Sequence, residues 1–153
     1  MFHQRGKSHL MTKEEKRKSR VVALQALYAF HISSTTIDQL LDYIKSNEES
    51  EEIIAYAKSL SMLAIDNLEN IDAYIVKNAH NWEFDRISLI DKLVLRLSLA
   101  EMIYEDSVPP KVSIVEGVEI AKEFGTENSG SFVNGILDSV YNKIVNSEEK
   151  DNN

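Results

Sequence analysis

The chain has 153 residues, 43% of them hydrophobic and 27% charged, with no cysteine and a formal net charge of −8. That length suits one domain, or two small halves sharing a core. Without cysteine there are no disulfides, thiolate zinc sites, iron–sulfur clusters or thiol nucleophile, and the acidic sum by itself disfavours nucleic acid as a partner.

The sum conceals a division. Residues 1–20 carry seven basic and two acidic side chains, a local charge of +5, so residues 21–153 carry −13. A cationic segment binds phosphate whatever the distant total, because salt screens charges beyond about 8–10 Å. No apolar stretch of signal-peptide type follows the basic start, since Gln25 and Tyr28 interrupt Val21 to Phe30. No run of about 18 apolar residues is present to span a bilayer. A soluble, cytoplasmic protein is expected. Residues 1–11 read as a flexible N-terminal extension, 12–146 as a single all-helical domain and 147–153 as a disordered tail.

In chain order the dominant period is helical. Thr12 and Glu15 are spaced as a capping box, opening a helix to about Ile32 with Val21, Leu24 and Tyr28 on one stripe. Ser33 to Thr36 ends it. Thr36 and Gln39 form a second box before a short helix with Ile37, Leu40, Leu41 and Ile44 on its apolar face. A long helical stretch from Ile53 to about Asn81 divides near Asp66–Asp72. Asn81 to Asp85 reads as a connection plugged by Trp82 and Phe84. Ser88 and Asp91 cap the most hydrophobic helix, Leu89 to Tyr104, which is expected at the centre. Pro109-Pro110 breaks the chain. Ser113 and Glu116 read as cap and N3 partner of the next helix, which ends at Phe124 with Gly125 as a C′ glycine. Ser131 leads into the last helix, where Gly135 suggests close backbone packing.

Enzymatic chemistry finds little support. No Gly-x-Gly-x-x-Gly or Walker-type run is present. His31 and His80 lack a nucleophile partner, and the carboxylates are scattered over helix faces rather than held as a distinct acid–base pair. His3 and His9 make a poor metal ligand set. Neither a cofactor nor a metal is expected, and the chain reads as no enzyme.

The basic segment says more. Lys13, Lys16, Arg17 and Arg20 fall at i, i+3, i+4 and i+7, one face of a helix opening at Thr12, with Lys18 off that stripe. The stripe reads either as a phosphate-binding face or as a solvated helix start. The helix dipole disfavours cations near an N-terminus, which tilts the balance toward a use. Single-stranded nucleic acid also calls for stacking aromatics. Phe132 at the start of the last helix is a candidate, with a core position as its alternative.

Three stretches stand out: the basic run into Gln25-Ala26-Leu27-Tyr28, the segment Asp91 to Glu101 continuing to Val108-Pro109 and Lys111-Val112, and Glu116 to Asp138 with Phe132-Val133-Asn134-Gly135-Ile136-Leu137-Asp138. Together they resemble the NusB family of bacterial transcription antitermination factors. The resemblance implies an all-α fold of about seven helices in two small bundles. It implies a non-catalytic adaptor binding boxA-type single-stranded RNA of ribosomal RNA transcripts together with NusE, a small ribosomal protein, in the RNA polymerase antitermination complex. It places RNA binding at Lys16, Arg17, Lys18, Arg20 and Phe132, and associates Tyr28 and Glu101 with the protein partner. A homodimeric protein–protein scaffold, and an accessory RNA-binding domain in ribosomal RNA maturation, are the competing functions.

Overall fold

The computed structural model describes residues 10–46 and 49–152. Seven α-helices account for most of these residues: α1 (Lys13–Ser33), α2 (Ile37–Lys45), α3 (Glu51–Asp66), α4 (Leu68–Asn78), α5 (Leu89–Tyr104), α6 (Pro110–Phe124) and α7 (Ser129–Asn152). A 3-10 turn, Phe84–Arg86, precedes α5, and no strand occurs among the described residues. His3 and His9 lie outside the described residues.

Both capping boxes form. The Thr12 hydroxyl accepts from the Glu15 N–H at 3.1 Å while the Glu15 carboxylate accepts from the Thr12 N–H at 2.8 Å, and Thr36 and Gln39 repeat the exchange at the start of α2. Two orphan donors at each helix start are thereby satisfied. Ser34 ends α1 in the left-handed conformation at φ 51°. α3 and α4 part at Asn67, inside the break the sequence suggested.

The helices form two small groups around α5. α1 packs on α2 and α3, α6 packs on α7, and α5 touches α1, α3, α4, α6 and α7. This position explains its composition. Leu93, Val94, Leu95, Leu97, Leu99 and Ala100 are all buried, so α5 is enclosed on more than one face. Leu89 and Ile90 are half-buried where the helix emerges.

Four local expectations are corrected. α6 starts at Pro110 behind Pro109, whose fixed φ suits a helix start; Ser113 and Glu116 therefore lie inside the helix, and both are buried. Gly125 is extended at φ −99° rather than left-handed. Glycine is required there by close approach, because a Cβ would sit 2.3 Å from Ser129 Oγ and 2.8 Å from the Ala121 carbonyl. α7 begins at Ser129, two residues before Ser131. Gly135 is exposed and nothing lies within 4 Å of a Cβ placed there, so it packs against nothing.

Candidate nucleic-acid interface

The cationic stripe of α1 runs from solvent into the core. Lys13 and Lys18 are exposed, Lys16 and Arg17 are half-buried and Arg20 is buried at 6% exposure. The i, i+3, i+4, i+7 spacing defines one helix face, and the fold turns the C-terminal end of that face onto α5 and α6. Arg20 Nε donates to both oxygens of Glu101, at 3.1 and 2.9 Å, and its Nη1 donates to Glu116 Oε1 at 3.4 Å. Arg20 is thus a buried structural cation and is not available to a phosphate. This corrects its place in the stripe.

Glu101 is 2% exposed and cannot meet a partner at the surface, which corrects the second placement. Its carboxylate accepts from Arg20, from Tyr56 Oη at 2.6 Å and from Ser113 Oγ at 2.8 Å. Glu116 takes Arg17 in a bidentate pair, Nε to Oε1 and Nη2 to Oε2, both 2.8 Å. Two guanidinium groups and two carboxylates therefore balance at the junction of α1, α3, α5 and α6, as burial of charge demands. The hydrogen bond from Arg17, reinforced by the charges of Arg17 and Arg20, holds the Glu116 carboxyl below its usual range despite burial, and the same bond raises Arg17. Burial pushes the Tyr56 phenol up, and the Glu101 charge adds to it.

The outer part of the stripe remains at the surface. Lys16 Nζ stands 6.0 Å from the centroid of the Tyr56 ring, and Lys18 Nζ approaches Glu49 at 4.0 Å. Lys13, Arg17 and Lys18 line a groove of about 590 Å³ with Val21, Gln25 and Glu123. Phe132 is half-buried and packs against the core in the first turn of α7. Its ring meets Trp82 edge-to-face, centroids 5.6 Å apart. Trp82 is no plug: it is 54% exposed. Tyr28 is exposed and lines a separate groove with Leu24, Tyr43, Ile90 and Phe124.

A model of the NusB family matches residues 17–142. The chain belongs to the NusB family. The family match takes in Arg17, Arg20, Glu101, Glu116 and Phe132, while Lys13 and Lys16 precede it. Over 135 residues the chain is 41% identical to the transcription antitermination protein NusB of Chloroherpeton thalassium, covering 84% of this chain and 62% of that relative, so it spans less than two thirds of that protein's length. It is 38% identical over 131 residues to the NusB of Treponema denticola, covering 84% of this chain and 96% of the relative. Among solved structures, a crystal structure of the antitermination factors NusB and NusE in complex with double-stranded RNA is similar at a TM-score of 0.76 and 27% identity, over 86% of this chain and 99% of that one.

Sequence reasoning missed Tyr56, Ser113 and Glu116 as members of the buried cluster. Ser113 and Glu116 carry the spacing of a capping box but lie inside α6. The discriminating signal is Pro109-Pro110, which already supplies a helix start four residues earlier.

Proposed function

We propose that this chain is a non-catalytic RNA-binding adaptor of transcription antitermination, acting in the cytoplasm with NusE on boxA-type single-stranded RNA of ribosomal RNA transcripts. The observation that carries this is the cluster of surface cations at the start of α1, in a chain otherwise strongly acidic and of the NusB family. Lys13, Lys16, Arg17 and Lys18 supply phosphate contacts, and Phe132 supplies an aromatic edge on α7. Arg20 and Glu101 act beneath this surface: with Glu116 they hold α1 against α5 and α6, and Glu116 fixes the direction of Arg17. A bidentate carboxylate occupies two of the guanidinium's donors and leaves Nη1 for a phosphate.

The groove at Tyr28 is the surface we assign to NusE. Its lining is aromatic and aliphatic, as the core of a protein–protein contact is, and a basic ribosomal protein suits the acidic body electrostatically. No described helix is long and apolar enough to cross a membrane.

Fluorescence anisotropy of a labelled boxA RNA, with and without NusE, tests the assignment. Binding is expected with the chain alone and tighter with NusE. Absence of binding under both conditions at low salt refutes the adaptor role. Tyr28→Ala is expected to lose most of the enhancement by NusE while leaving the affinity for RNA alone within about 2-fold of the original, since it touches none of the cations.

A further inference from the structure

Trp82 is the single tryptophan of the chain, and it stands more than half exposed on the connection between α4 and the 3-10 turn. A side chain of this size is highly buried on average. The backbone around it is specified rather than slack. Asn81 adopts the left-handed conformation at φ 70°, and the Trp82 N–H donates to the Ala79 carbonyl at 3.1 Å. Asparagine tolerates that conformation better than most side chains, but it is sparsely populated outside glycine.

The ring is backed from another element. Phe132, fifty residues away in the chain and packed on the core, meets Trp82 at an interplanar angle of 70°. An edge-to-face pair covers one face of one ring and leaves aromatic surface to solvent. The surroundings carry both signs of charge, with Lys122 near Glu119 at 3.8 Å. Phe132 lies in the first turn of α7, at the positive end of that helix. Gly130 lets the Lys122 stem lie across the same turn, where a Cβ would come within 2.9 Å of Lys122 Cγ. Glu83, the carboxylate next to Trp82, is engaged by Arg86 at 3.7 Å.

We propose that Trp82 and Phe132 form one stacking platform for an unpaired RNA base, with Trp82 its principal surface. This rests on the RNA-binding role proposed above and adds a contact separate from the α1 cations. Every base has a π-face, so the platform binds without demanding a particular base. A paired base is already stacked within its helix and cannot use it.

The lone tryptophan makes the platform its own reporter. The experiment titrates the full chain with a single-stranded boxA-type RNA oligonucleotide, following tryptophan emission and, separately, the anisotropy of labelled RNA. Emission is expected to fall in step with RNA binding and to stay unchanged with the same sequence annealed into a duplex. Trp82→Ala is expected to weaken RNA binding about 10-fold at an unchanged salt dependence, and Trp82→Phe to recover most of it. Melting by circular dichroism confirms that both variants fold. RNA binding with unchanged emission, or with undiminished affinity in W82A, overturns the platform and leaves the adaptor role intact. Quenching by NusE alone also overturns it and assigns the ring to the protein partner. No RNA binding by the original chain removes the adaptor role and the platform with it.

Discussion

At Glu116 one carboxylate serves two guanidinium groups, Arg17 at the surface and Arg20 in the core. Replacing it with glutamine leaves Arg20 short of countercharge where water cannot compensate. Breaking a buried pair of this kind costs about 3–5 kcal/mol, so E116Q is expected to lower the thermal midpoint by about 6–12 °C at the lower end of that range. The lowered Glu116 pKa sets the sign with pH. A depressed carboxyl contributes stability that is fully present above its unfolded-state value near 4.5 and is lost as pH falls through the lower folded value. Midpoints measured from pH 7 down to pH 3 should therefore decline in the original chain, with part of that decline missing in E116Q. Two glycines make an opposed pair. Gly135 lies in α7 with open space around it, so Gly135→Ala should stabilise by roughly 0.5–1 kcal/mol through helix propensity and reduced unfolded-state entropy. At Gly117 a Cβ would meet Ser98 Oγ at 2.3 Å and Leu137 Cδ1 at 3.2 Å, so Gly117→Ala should destabilise by about 1–3 kcal/mol. Chemical denaturation of both variants checks the two signs.

α1 is the element that joins the surface charge to the core. Its capping box places the cations by stopping the helix from fraying at Thr12. Thr12→Ala should cost about 1 kcal/mol locally, read as faster amide exchange at Glu15, whose N–H the hydroxyl accepts. The boundaries of α1 and α2 were legible in the sequence because each box is a local contact between residues three apart. The start of α6 was not legible in the same way. Ser113 and Glu116 have cap spacing, yet their side chains answer to Glu101 on α5 and to Arg17 and Arg20 on α1. A spacing of three serves a helix end and a helix face alike, and only the neighbours decide between them.

For the whole molecule, the division of charge governs how RNA binding should respond to salt. Each cation that contacts phosphate in a single strand contributes about 0.7 to the slope of log affinity against log salt. Removing Lys13, Lys16 and Lys18 together should therefore flatten the slope by about 2 and weaken binding to unrelated sequences alike, as anisotropy between 50 and 300 mM salt would report. Arg20 belongs outside that count, since its charge is spent on Glu101 and Glu116. By itself the sequence determined the helical class, the central place of α5, the basic start and the family, because hydrophobic period, caps and motif order are local or linear properties. Only the tertiary structure decided which end of the basic stripe meets solvent, that Glu101 is buried, and that Trp82 meets Phe132. Each of those depends on residues brought together from distant parts of the chain, and no period along one helix encodes which neighbour will cover it.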